Sequence, residues 1–394
     1  MRVAYVCGDP GIPVFGAKGA SVHVQEVVRV LLADGHRVDL HCRRTGGEPA
    51  GDLAAAVEGG RLRVHALPVA DGEGPAERER MLMAQEEATR RALAAVHARE
   101  PYDLVYERYA LFAIAGTSFA REAAIPSVLE VNAPLPIEQA RHRTLVHADT
   151  ADALARRVIS DAALAVCVSE PVADWARAQA PGARIAVEPN GVDVVRFDDR
   201  RREEGAFTVG FVGTLKPWHG TATLVDAFPL LAAERPDARL VIVGDGPERP
   251  ALERRAAERG IADRTLFAGA VAPAEVPGWL RMMDVATAPY PAAGDPYFSP
   301  LKVLEYLAAG AAVVASRVGQ LPALVDDGRT GLLVPPSDAV ALGHALARLA
   351  HDPALRRRMA AAGRADVERT RTWRHVVERT LARVAVRLDG SAAA

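Results

Sequence analysis

The chain alternates between short apolar, β-branched runs and longer stretches whose apolar positions recur at helical spacing. RVAYVC (residues 2–7) is followed by a Gly/Pro loop, GDPGIPVFGAKGAS, and then by a helical pattern from Val22 to Leu32. FTVGFV (207–212) repeats the plan, with the loop GTLKPWHG and a helix over Thr221 to Leu231. A strand, a glycine-bearing loop and a helix form the opening of a Rossmann-like unit. Between the two openings RVDLHC, RLRVHAL, LVYERY, PSVLEVN, LAVCVS and RIAVEPN read as strands, with helical patterns such as 75–98 and 150–160 among them. RLVIVGD, LFAGAV, VATAPY, AVVAS and GLLVPP continue the series after residue 207. The alternation predicts an α/β protein with doubly wound parallel sheets, arranged as two Rossmann-like domains with a cleft between them. The charge-dense segment NGVDVVRFDDRRREEG has no periodicity and reads as the linker. A last helical stretch rich in Ala and Arg runs from Ala339 to Arg387, ahead of a frayed tail.

Composition narrows the class. The 394 residues suit two or three domains, and 49% hydrophobic with 25% charged residues is ordinary for a globular protein. A net charge of -2 argues against a nucleic-acid partner. No apolar run is long enough for a membrane span. The opening MRVAYVCGDPG enters a strand at once, leaving no room for a signal peptide, so the expected location is cytoplasmic. Cys7, Cys42 and Cys167 lie in or beside apolar runs without a CxxC pair and read as reduced core thiols. Of the 48 basic residues only three are lysines, Lys18, Lys216 and Lys302. Each therefore marks a place where a compact ammonium is preferred to a guanidinium.

Open parallel sheets bind ligands beyond the carboxyl ends of their strands, so the loops there are the candidate sites. The first ends in Ala17-Lys18-Gly19-Ala20-Ser21, where glycine allows close approach and the helix start offers free N–H groups to an anion. Neither GxGxxG nor GxxxxGK[ST] occurs, which removes support for a nicotinamide enzyme or an NTPase. The second loop, Gly213-Thr214-Leu215-Lys216-Pro217-Trp218-His219-Gly220, carries two candidate cations, Lys216 and His219, beside a helix start. Gly244-Asp245-Gly246-Pro247 is a tight turn at a strand end. In Asp295-Pro296-Tyr297-Phe298-Ser299-Pro300-Leu301-Lys302-Val303-Leu304-Glu305, Ser-Pro marks a helix start and puts Lys302 in the first turn. A cation there opposes the helix dipole unless an anion binds. Glu305 lies one turn on, suited to the hydroxyls of a nucleotide's ribose or simply to pairing with Lys302. All three lysines fall in these loops, and a shared diphosphate is the simplest common cause.

The ordered series FVGTLKPWHG, LVIVGDGPE, LFAGAV, FSPLKVLEYLAAG and GQLPALVDDGRTGLLVPPSD resembles the retaining glycosyltransferases of family 4, which have the GT-B fold. The first loop, the GHRVDL strand and PNGVDVVRF extend the resemblance over nearly the whole chain. It implies two Rossmann-like domains facing a central cleft. The N-terminal one, for the acceptor, would span 1–195 and be completed by a crossover helix over 371–388; the C-terminal one, for the donor, would span 205–370. It also implies a nucleoside-diphosphate-sugar donor, a hydroxylated acceptor, retention of anomeric configuration, and no metal or other cofactor. The base would meet the backbone of Val271.

The chain departs from the family pattern in several places. Thr214 and His219 stand where GRLxxxKG has Arg and Lys, and Lys216 is the expected replacement for their charge. The Glu-x7-Glu pair keeps only Glu305; Tyr297 holds the first position, with Asp295 nearby. Asn132, in Glu130-Val131-Asn132-Ala133-Pro134, replaces a frequent active-site histidine, and Gly319-Gln320 replaces a GG pair. The expected catalytic residues are Lys216 at the leaving phosphate, with Glu130 and Asn132 positioning the acceptor. Phosphate contacts are expected from Lys18, Gly19, His219 and Lys302. Two alternative classes stay open: a GT-B sugar-nucleotide epimerase or hydrolase, and a non-catalytic nucleotide-sugar-binding protein. Peripheral membrane contact stays open through relatives with lipid acceptors, although 75–98 mixes both charges and reads as a solvated face.

Overall fold

The computed structural model describes residues 1–69, 72–197, 205–292 and 300–391. The chain forms two compact units, the first from Met1–Asn190 with the segment from Trp373 onward, the second from most of Gly191–Thr372.

In the first unit the strands are β1 (Arg2–Cys7), β2 (Arg37–Cys42), β3 (Leu62–Ala66), β4 (Leu104–Arg108), β5 (Ser127–Val131), β6 (Leu164–Cys167) and β7 (Ile185–Val187). They pair in parallel in the order β3-β2-β1-β4-β5-β6-β7. The second unit holds β8 (Thr208–Val212), β9 (Arg239–Val243), β10 (Thr265–Gly269), β11 (Val285–Ala288), β12 (Ala312–Ser316) and β13 (Gly331–Val334), in the order β10-β9-β8-β11-β12-β13. Both sheets reverse direction of growth beside their first strand, between β1 and β4 and between β8 and β11. Those are the switch points where diverging loops leave room for a ligand. Helices cover both faces, so the central strands are buried along their whole length and read as continuous apolar runs.

Every strand segment read from the sequence forms a strand, and two helical stretches are divided. The pattern over 75–98 becomes Gly74–Ala84 and Glu86–His97. At the junction the buried guanidinium of Arg43 is held by the side chains of Gln85 and Glu86. The stretch from Ala339 becomes Ala339–His351, Pro353–Thr370 and Trp373–Ser391. Asp338 and Asp352 cap the first two, accepting from the N–H groups of Ala341 and Leu355 at 2.8 Å each.

The last helix rejoins the first unit, packing on the helix Gly19–Ala33 and against β5 and β6. Trp373 is buried with its ring 4.6 Å from that of His23. The buried carboxylate of Glu188 takes Arg379 at 2.8 Å and Arg383 at 2.5 Å. Trp373→Ala should lower the unfolding free energy by about 3 kcal/mol, the usual result of emptying a large aromatic site. A urea midpoint unchanged from wild type would show that the ring does not anchor this helix. No described helix is long and apolar enough to cross a membrane.

Candidate functional site

In the second unit the loops after β8 and β9 are locked together through their backbones. Gly213 N–H donates to Val243 O at 2.9 Å, Leu215 N–H to Asp245 O at 2.9 Å, and Glu248 N–H to Leu215 O at 3.2 Å. Gly244 has φ +134°, and a Cβ there would come within 1.9 Å of Gly213 O. Only glycine permits both the conformation and the approach. Asp245 accepts from Gly246 N–H at 2.7 Å. The Gly244-Asp245-Gly246 turn thus holds the shape of the β8 loop, a role the sequence reading did not give it.

The same loop is fixed from the β11 side. Gly220 (φ +65°) sits so close to Pro289 that a Cβ would meet its carbonyl oxygen at 1.9 Å. His219 is thereby packed edge-on to Tyr290, ring centroids 5.7 Å apart. Its Nδ1–H donates to Thr214 O at 2.5 Å. Burial, with the positive charge of Lys302 adding to it, lowers the His219 pKa to about 4. Desolvation and a nearby ammonium both oppose protonation of this imidazole, against the second cation expected at this position.

Lys302 is the second residue of the helix Leu301–Ala308, whose N-cap Pro300 offers no side-chain cap and whose first turn holds no acid. Its Nζ is buried and has no hydrogen-bond partner among the described residues. It lies 4.3 Å from the ring centroid of Phe211 and 5.3 Å from that of Tyr290. A Cβ on Gly213 would stand 2.7 Å from it. Burial lowers its pKa to about 7 against the opposing charge of Glu305, which is half-buried one turn on. Lys216, by contrast, is half-buried with its Nζ 5.6 Å from the ring centroid of the exposed Trp218. The cation beside Gly213 and His219 is therefore Lys302, arriving from a distant segment, and the expected replacement, Lys216, sits on the Trp218 side. Val271 is half-buried in the segment after β10. Tyr297 and Ser299, with Asp295, lie outside the described residues.

In the first unit Lys18 is the exposed N-cap of the helix Gly19–Ala33, which has no capping side chain and no acid in its first turn. Lys18 also lines a pocket of about 510 Å³ beyond β1 and β2, shared with Arg43, Arg44, Thr45 and Gly46. Glu130, next to last in β5, is a buried carboxylate with four partners. Its Oε1 takes Arg108 Nη1 and Asn132 Nδ2 at 2.6 Å each. Its Oε2 takes His23 Nε2 at 2.8 Å and Tyr106 OH at 3.1 Å. Burial pushes this carboxyl up, but His23, Arg108 and Asn132 together outweigh it and hold it at about 2. Burial likewise keeps His23 neutral against the attraction of Glu130. Both Glu130 oxygens are engaged by protein partners, one of them Asn132, itself half-buried just beyond the strand.

Arg108, His23 and Arg44 were not among the expected site residues. A charged pair inside an apolar strand, Glu107-Arg108 in LVYERY, was the available signal for the first of them. Among the described residues no cluster of three His, Cys, Asp or Glu side chains is placed to hold a metal ion.

Two α/β units of this strand order, with uncapped helix starts and cations after their first strands, are of the GT-B type. A sucrose-phosphate synthase from Thermosynechococcus elongatus matches over 99% of this chain and all of its own, with a TM-score of 0.73 at 23% identity. Residues 17–196 match Glycosyltransferase Family 4 and residues 206–352 match Glycosyl transferases group 1. A D-inositol 3-phosphate glycosyltransferase of Streptomyces scabiei is 30% identical over 89% of this chain and 83% of its own. A GDP-mannose-dependent phosphatidylinositol monomannoside mannosyltransferase of Mycolicibacterium smegmatis is 34% identical over 53% of this chain, a match spanning 58% of that enzyme. The chain belongs to glycosyltransferase family 4 and is a glycosyltransferase.

Proposed function

We propose that the chain moves a sugar from a nucleoside-diphosphate sugar to an acceptor hydroxyl, with retention of anomeric configuration and without a metal. The observation that carries this reading is the buried Lys302 Nζ beside the β8 loop, which has no hydrogen-bond partner among the described residues and so has the form of a receptor for an anion. The GDP-mannose-dependent relative described above supports the donor class through its name.

In this reading the bond from the anomeric carbon to the β-phosphate oxygen breaks while a bond to the acceptor oxygen forms on the same face. The acceptor's proton passes to the departing phosphate oxygen. Charge growing on the leaving diphosphate is met by Lys302, Lys216 and the N–H groups at the start of Leu301–Ala308. His219, neutral, contributes a hydrogen-bonding nitrogen and not a charge. Glu305 takes the ribose hydroxyls, the backbone of Val271 the base, and Asn132, held by Glu130, the acceptor hydroxyl.

The test is a panel of nucleotide sugars scored by thermal shift and by slow release of nucleoside diphosphate without acceptor. Binding with release supports transfer chemistry, and binding of no donor would sink the proposal. Lys216→Ala should reduce kcat by roughly 10²-fold, the scale of losing one transition-state contact, with donor KM little changed. An unchanged kcat removes Lys216 from the mechanism.

A further inference from the structure

Lys302 is the lysine whose Nζ is buried without a hydrogen-bond partner among the described residues. Its surroundings come from four segments. The Phe211 ring of β8 and the Tyr290 ring after β11 lie on two sides, at 4.3 and 5.3 Å. His219, from the β8 loop, is electrostatically coupled to it. From its own helix come Glu305 and Tyr306, the latter with its hydroxyl engaged by the backbone N–H and carbonyl of Val212 at 2.8 and 3.1 Å. Burial raises both tyrosines well above their ordinary range and His219 is lowered, so all three are neutral near pH 7. Among the described residues the opposing charge on Lys302 is that of Glu305, a helical turn away. Aromatic faces favour a cation, but two rings and a distant carboxylate do not replace the water lost.

We infer that Lys302 is a proton-accepting anion receptor: the site takes up one proton as the donor's diphosphate enters, and the ammonium so formed faces that anion beside Gly213. The inference rests on the donor reading above and deepens it. Free Lys302 titrates at about 7, midway through the physiological range. A dianionic diphosphate against the amine favours the charged form and raises its pKa in the complex. The sign follows from linkage. Since the bound pKa exceeds the free one, affinity is at its full value below the free pKa and weakens as pH rises through 7. The fall is about tenfold for each further pH unit until the bound pKa is reached. A nucleotide sugar has no ionisation of its own in this range, because both phosphates are diesters, so the proton belongs to the protein.

Calorimetric titration of the full chain with UDP-glucose and GDP-mannose, at pH 6 and pH 8 in buffers of differing ionisation enthalpy, reads the proton count directly. The expected uptake is a large fraction of one proton at pH 8 and much less at pH 6. Lys302→Met should abolish the uptake and weaken binding at pH 6 by at least tenfold. It should also melt no lower than wild type, since it removes an unpartnered amine and leaves apolar volume. Binding at both pH values with no proton uptake overturns this inference alone. Uptake that survives in Lys302→Met and vanishes in His219→Gln also overturns it, assigning the proton to the imidazole. Should neither sugar nucleotide bind even at pH 6, where Lys302 is charged without help, the donor reading falls and this inference with it. The wild-type proton count decides the matter even if the methionine variant fails to fold.

Discussion

Gly244→Ala is expected to abolish nucleotide-sugar binding and to lower unfolding stability by about 3 kcal/mol, the combined scale of a forced backbone conformation and a steric overlap. The residue has φ +134° and its new methyl would overlap Gly213 O at 1.9 Å. Neither side can yield cheaply, because the opposing atom is backbone within a loop tied to the β9 turn by three hydrogen bonds. The loop would shift, and with it the wall against which Lys302 Nζ rests. Guanidinium denaturation and donor calorimetry on one preparation check both halves. Wild-type affinity in a stable variant would show that the loop tolerates displacement and that its geometry is not what positions the anion.

Glu130→Ala should be the most damaging change in the first unit, lowering stability by roughly 3–5 kcal/mol, the usual consequence of stranding the partner of a buried ion pair. Arg108 would keep its charge in a buried setting with its 2.6 Å partner gone, and Asn132 and His23 would lose theirs. The same group makes a pH prediction. Its folded pKa, about 2, lies below the ordinary carboxyl value of 4.5. The stabilisation it provides is therefore present in full above that ordinary value and is lost as pH falls towards 2. Wild type should lose roughly 3 kcal/mol more than Glu130→Ala between pH 6 and pH 2. Parallel acid dependence in urea titrations of the two proteins would place the acid-labile group elsewhere.

The central strands were legible because they are buried along their length, and a strand with no solvated side reads as a largely apolar run, as TVGFV and AVVAS do. The same physics hid the breaks between helices. Gln85 continues the helical pattern of its neighbours, and only the guanidinium of Arg43, 42 residues earlier in the chain, reveals why the helix divides there. The candidate lysines stood out by rarity, since 45 other cations are arginine. Rarity could not rank them. Lys216 sits inside the loop whose family cations are missing and looked like their substitute, yet the ammonium that reaches Gly213 comes from position 302.

The order of strands, the loops that follow them, the three lysines and the resemblance to a family are properties of residues taken in sequence, and the chain alone determined them. Which amine stands beside Gly213, how burial opposes protonation of His219, and which partners the Glu130 carboxylate takes were set by the tertiary structure. Charge state and contact depend on what is brought within a few ångströms and on how much water is excluded. Both are set by segments far apart in the chain.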